Sequence, residues 1–208
     1  MKPLIVINLK TYQQGKKAIE LAKKIEQVDL KIIVGAQASD IFEITKKTKL
    51  KVYAQHVDPL NPGRHTGYTI PEAVKQDKAV GTFLNHSEHK ISFLTLKKTM
   101  KRCNKIGLKT MVFVANIKQA KRVEKLKPTY LIYEPPELVA GKISVSTAKP
   151  TVIEEFAKKT KIPFLVGAGI KTNQDVKIAM KLGAKGIALS SAVTKAKNPK
   201  KVIKDLIK

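Results

Sequence analysis

The sequence predicts an α/β protein, a closed (β/α)8 barrel built as a single domain over residues 1–208. Two observations lead there and a third separates the barrel from its rival. Short runs rich in β-branched and apolar residues alternate with lysine-rich stretches of helical period, the runs lying at 4–8, 31–35, 51–55, 80–85, 109–114, 130–134, 163–167 and 186–190. Runs such as LIVIN and KIIVG are apolar at consecutive positions, as in strands buried on both faces, and such strands belong to parallel sheets. Eight alternating units suit either an open doubly wound sheet or a closed barrel. The turn after the first run reads NLKTYQQG, without the glycine fingerprint of a dinucleotide-binding sheet, and this favours the barrel.

The helical stretches follow in order. In 15–27 the apolar residues Ala18, Ile19, Leu21, Ala22 and Ile25 recur at the spacing of one helix face. Similar patterns occupy 93–106, 117–126, 151–159, 173–182 and 199–207, the last opening near Pro199. The stretches after the second and third runs carry shorter patterns. Spread over eight units, 208 residues allow about 26 each, enough for a strand, a helix and two short loops. The chain is compact for this architecture, whose lower limit is ~200 residues. No linker, tandem repeat or second domain is apparent.

Composition narrows the function. Lys and Arg number 41 against 16 Asp and Glu, a formal charge of +25 with a pI near 10.1. Dense positive charge suits nucleic acid. Yet the only arginines are Arg64, Arg102 and Arg122, and arginine is the residue that forks onto phosphate and guanine. The lysines are spread along the chain, often in pairs within helical stretches such as Lys16-Lys17 and Lys46-Lys47, and read as solvated helix faces. No specific nucleic-acid partner is expected, although the field would draw in small anions. No apolar run nears the ~18 residues of a membrane helix, and 4–7 is too short for a signal-peptide core. The single cysteine, Cys103, cannot form an internal disulfide or complete a thiolate metal site. A soluble cytoplasmic protein is expected.

In a (β/α)8 barrel the chemistry sits where strands end and the following loops begin. Those ends carry Asn8 and Lys10; Gln55 and His56; Asn85, His86 and Glu88; Glu134; Gly167 and Gly169; Ser190 and Ser191. Taken singly, Glu134 is either a structural ion-pair partner or a general base, His86 a loop histidine or a catalyst, and Lys10 one lysine among many. Their fall at the same end of the barrel gives them joint meaning. The segments VGAGI (166–170) and ALSSAV (188–193) follow the seventh and eighth runs, where phosphate-binding barrels hold their anion on backbone N–H groups. A base, an electrophile, a cation and a phosphate cradle suggest proton abstraction beside the carbonyl of a small phosphorylated sugar. No metal or cofactor is expected, because His86 and His89 lack partners at a recognisable ligand spacing.

Over essentially its whole length the chain resembles the triosephosphate isomerase family, in its short archaeal form. The resemblance rests on NLKTY (8–12), AQHVDPLNPGRHTG (54–67), VGTFLNHSEHK (80–90), YEPPEL (133–138), SVSTAKP (144–150) and VGAGI (166–170). It implies a TIM barrel, with Glu134 as catalytic base, His86 as electrophile, and Asn8 with Lys10 contacting substrate. It also implies Glu88 as a supporting carboxylate, and phosphate contacts at Gly169, Ser190, Ser191 and, in a loop that closes over the substrate, Val139. This family is itself the standard illustration of a glutamate base facing a neutral histidine. The chain departs from it at Ala140, Gly141 and Lys142, where archaeal relatives usually have Gly-Thr-Gly, and at Ala192, usually glycine.

The resemblance also implies self-association, as dimer or tetramer, through the loop DPLNPGRHTG (58–67), whose HTG matches the family's tip. It is the longest connection in a trimmed barrel, and long loops in compact domains are usually functional. Two other functions fit the residues: another phosphate-binding barrel enzyme, and a lysine-rich nucleic-acid binder on an enzyme fold.

Overall fold

The computed structural model describes residues 2–135, 150–167 and 170–208. Val139, Gly169 and the departures at Ala140, Gly141 and Lys142 lie outside the described residues. The eight strands are β1 (Leu4–Asn8), β2 (Ile33–Ala36), β3 (Lys51–Ala54), β4 (Gly81–Leu84), β5 (Lys109–Val114), β6 (Tyr130–Tyr133), β7 (Phe164–Val166) and β8 (Gly186–Leu189). Each pairs in parallel with the next, and β1 closes on β8 with Leu4 opposite Gly186 and Ile7 opposite Leu189. The (β/α)8 barrel expected from the alternation is the fold observed.

The helices described are α1 (Lys16–Glu26), α2 (Ala38–Lys47), α3 (Pro71–Gln76), α4 (Phe93–Lys105), α5 (Ile117–Glu124), α6 (Pro150–Lys159), α7 (Asn173–Lys181), α8 (Ser191–Thr194) and α9 (Pro199–Leu206). Each covers the sheet with a narrow apolar face. In α1 it is Ala18, Leu21, Ala22 and Ile25, of which the larger Leu21 and Ile25 each contribute about 1.5–3 kcal/mol on burial. Side-chain caps fix several starts: Ser92 accepts from Thr95 N–H, Asn116 from Gln119 N–H, and Thr172 forms a reciprocal capping box with Asp175. Lysines occupy the outer faces, some in i,i+4 pairs such as Glu43–Lys47 and Glu154–Lys158, which are exposed and contribute little.

The stretch after β2 departs from expectation. It forms the ten-residue helix α2, whose buried face includes Asp40 beside Ile41 and Ile44. A carboxylate on the apolar stripe blurs the periodicity. It is tolerated because Asp40 Oδ1 accepts the Gly15 N–H at 3.0 Å.

Strand alternation divides the apolar residues into two cores. Ile5, Ile7, Tyr133 and Val166 face the helices, whereas Val6, Ile33, Tyr53, Phe83, Met111, Phe113, Ile132 and Leu165 fill the barrel. Two strand glycines make room inside. A β-carbon on Gly35 would stand 2.1 Å from the Phe83 ring, and one on Gly81 2.2 Å from the Tyr53 ring. The same alternation aims the site. Val6 and Ile132 point inward, so Asn8 and Glu134, two positions on, do so one layer higher at the barrel mouth.

Candidate active site

At the ends of the strands the barrel opens into a cavity of about 760 Å³. Of the residues expected from sequence, Asn8, Lys10, His86, Glu88, Glu134, Gly167, Ser190 and Ser191 all line it. The ends of β1, β4, β6, β7 and β8 and the loops that follow them therefore converge on one space.

Lys10 is held in a costly backbone conformation. Its φ is 48°, in the left-handed region that a side chain with a β-carbon seldom adopts. Three contacts keep it there. Its N–H donates to Asn8 Oδ1 at 3.0 Å, Gln55 Nε2 donates to its carbonyl at 3.0 Å, and its ammonium lies 2.6 Å from Glu88 Oε1. The left-handed turn swings the side chain over the mouth, and Asn8 and Gln55 act as its supports.

His86 sits against Phe113, ring centroids 4.5 Å apart and edge to face. The Glu88 N–H donates to its Nδ1 at 3.1 Å. A ring nitrogen that accepts carries no proton, so in the neutral imidazole the proton is on Nε2. Burial, reinforced by the Lys10 charge, lowers the His86 pKa from 6.5 to about 4. The ring is therefore a neutral N–H donor across the physiological range. Beside it the rings of His56 and His89 stack at 4.2 Å, and together with Gln55 they wall a hollow of about 200 Å³ next to Lys10.

Glu134 continues β6 into the mouth, its N–H donating to Val114 O at 3.0 Å. Burial raises its pKa from 4.5 to about 7; the Lys10 charge opposes the shift and the Glu88 charge adds to it. A carboxylate of that basicity both takes and returns a proton near neutral pH.

The β8 turn carries the anion-binding character. Ser190 follows the strand as the N-cap of α8, which begins at Ser191 and is a single turn of four residues. Its individual N–H groups, rather than a long helix dipole, are what an anion would meet. Among the described residues the N–H groups of Ser191 and Ala192 meet no protein acceptor, and Ser190 Oγ is buried without a partner. Ala192 lies in helical backbone without a positive φ, so alanine fits there without backbone strain.

Sequence reasoning passed over Tyr12, Phe113, Ile170, Lys171 and Lys195, which also line the cavity. Phe113 was recoverable, since β5 alternation places it inward one layer above Met111. Among the described residues no three His, Cys, Asp or Glu side chains converge as a metal site requires, and no helix is long and apolar enough to cross a membrane.

The arrangement joins a basic carboxylate, a neutral N–H donor, an ammonium and backbone donors that meet no acceptor among the described residues, around a space that fits a small anion. Comparison with known proteins agrees. The sequence model of the family described as triosephosphate isomerase matches residues 3–206. The triosephosphate isomerase of Methanocaldococcus jannaschii is 41% identical over 216 residues, covering 99% of both chains. That of Saccharolobus solfataricus is 42% identical, covering 99% of this chain and 95% of its own. That of Sulfolobus acidocaldarius is also 42% identical, covering 99% of this chain and 94% of its own. With the barrel, the strand-end residues and a match along nearly the whole sequence in agreement, the chain belongs to the triosephosphate isomerase family.

Proposed function

We propose that the chain interconverts dihydroxyacetone phosphate and D-glyceraldehyde 3-phosphate with Glu134 as the base that moves the proton. The observation that carries this is the opposed tuning of two neighbours at one mouth: a carboxylate made more basic and an imidazole kept neutral. The Glu134 carboxylate takes a proton from C1 of the ketose. The C–H electron pair becomes the C1=C2 bond of an enediolate, and the carbonyl oxygen on C2 gains the negative charge. His86 Nε2–H and the Lys10 ammonium face that charge, where a low-dielectric site makes each donor count for more than in water. Glu134 then returns the proton to C2. The hydroxyl proton on O1 is lost as C1=O1 forms, and O2 gains one, so the exchange balances with no cofactor. Ser190 and Ser191, with Gly169 and Val139 outside the described residues, hold the phosphate. Glu88 supports the site by orienting Lys10 and His86.

Running the reaction in D2O tests the proton path. Deuterium should enter at C2 of the aldose product, and direct hydride transfer with no incorporation would contradict it.

The reaction serves glycolysis and gluconeogenesis, and we assign the enzyme to the cytoplasm. Its partners are the phosphorylated triose and further copies of itself, meeting through loop 58–67. The hollow of about 200 Å³ beside Lys10, Gln55 and His56 is a suitable seat for a loop tip from a neighbouring copy.

A further inference from the structure

We infer that Lys195, held against the ring of Tyr12, is a binding residue that selects for the substrate's phosphate. This rests on the reading that the β8 turn holds that phosphate. Lys195 follows α8 directly, its N–H donating to Ser191 O at 3.2 Å, so it sits one turn beyond the unpaired donors of Ser191 and Ala192. Its ammonium lies 4.4 Å from the centroid of the Tyr12 ring, and both side chains line the large cavity.

The pair joins opposite ends of the sequence through a built contact. Gln13 Nε2 donates to Thr194 O at 2.8 Å, fastening the loop after β1 to the end of α8. That bond places Tyr12 beside Lys195. A cation over an aromatic face is held by the ring quadrupole, which restricts a lysine that would otherwise sweep many rotamers. Part of the ordering needed to meet an anion is therefore already present in the free enzyme.

Charge at the mouth gives the residue its task. Lys10 is matched by Glu88 at 2.6 Å, and the working base Glu134 is an anion. A phosphate dianion entering this space adds further negative charge. Among the described residues no carboxylate is paired with Lys195, and Tyr12 leaves its charge uncompensated. Lys195 therefore supplies cationic charge on the phosphate side of the cavity, as Lys10 does on the carbonyl side. Lys171 also lines the cavity, whereas most other lysines lie on outer helix faces and contribute only the diffuse field of a +25 chain.

The test compares wild type, Lys195→Met, Lys195→Arg, and Lys16→Met on the outer face of α1, with two substrates and one inhibitor. For Lys195→Met, KM for glyceraldehyde 3-phosphate and the inhibition constant of inorganic phosphate should rise together, by about five- to tenfold. The loss in kcat/KM should be much smaller with D-glyceraldehyde, which lacks the phosphate. Lys195→Arg should keep most of the affinity, and Lys16→Met should match wild type. Unchanged phosphate inhibition in Lys195→Met, or equal losses with both substrates, would overturn the inference and leave the phosphate turn standing. Failure of inorganic phosphate to compete in the wild type would overturn the phosphate turn itself, and this inference with it.

Discussion

The carboxylate of Glu134 occupies the space a β-carbon on Gly167 would take: such a carbon would stand 2.5 Å from Oε1 and 2.6 Å from Cγ. The end of β7 thus shapes the position of a side chain carried by β6. The strands pair in register just below, with Tyr133 opposite Val166. Gly167→Ala should therefore displace the carboxylate without disturbing the barrel. A misplacement of ~1 Å at a reacting group can lower turnover by about a hundredfold. Steady-state kinetics with circular dichroism checks this, and full turnover in a folded variant would show that the glycine does not set the base.

Lys10 shares its left-handed backbone with Lys78 and Lys127 and differs from the chain's other lysines in where its contacts hold it. Its left-handed turn and its contacts with Asn8, Gln55 and Glu88 fix it at the mouth. Lys10→Met should reduce kcat/KM by at least about a hundredfold, since a charged partner of the reacting oxygens is removed. Lys16→Met should change it by less than about twofold. Equal losses in the two variants would deny Lys10 a special role.

Glu134 and His86 have opposite effects on stability as pH changes. Glu134 has a folded pKa of about 7 against an ordinary 4.5, so the folded state binds the proton more tightly and stability from this group is lost as pH rises from 4.5 to 7. His86 has a folded pKa of about 4 against 6.5, so its contribution is lost as pH falls through that window. Between roughly pH 4.5 and 6.5 unfolding moves a proton from Glu134 to His86, and the two slopes nearly cancel. Glu134→Gln removes one of them. Denaturant titrations should show the variant equal to wild type near pH 4.5 and more stable by about 3 kcal/mol at pH 8. A difference independent of pH would contradict this. In the wild type kcat/KM should rise with pH through about 7, the catalytically ready carboxylate being the less stable form.

Loop 58–67 is anchored at its base and open at its tip. Asp58 N–H donates to Thr69 O at 2.7 Å and Thr69 N–H to Asp58 Oδ2 at 2.9 Å, while Arg102 of α4 holds both Asn61 and Glu72. Residues 61–68 are exposed in the single chain. Repulsion between chains of +25 is screened beyond ~8 Å at physiological salt. Light scattering should therefore find a dimer or larger, and shortening 60–66 should leave an impaired monomer. A fully active monomer of 23.0 kDa would refute self-association.

The barrel was legible because its strands are short, largely apolar runs: seven of the eight runs contain their strand, and the run 31–35 overlaps β2, which extends to Ala36. Residues at strand ends were legible for the same reason. Once a run is placed, alternation says that Glu134 follows Ile132 inward. Helix α2 was harder to read because Asp40 interrupts its apolar face, and the hydrogen bond from Gly15 that excuses it joins distant positions. Tyr12 and Lys195 were hidden similarly, since their contact depends on Gln13 reaching Thr194. The tuning of Glu134 and His86 comes from burial at the mouth, which no local pattern encodes. Two of the three arginines that a nucleic-acid reading would need are engaged otherwise, Arg102 on Glu72 and Arg122 over the Phe93 ring.

Turnover of Glu134→Gln in a coupled assay with glyceraldehyde 3-phosphate decides whether this carboxylate moves the proton. Glutamine keeps the shape of the side chain and removes its capacity to carry the proton, which is the whole reaction. The variant should fold, with a kcat lower by several orders of magnitude, about 10³-fold or more. Near-normal turnover in a correctly folded variant would contradict that role.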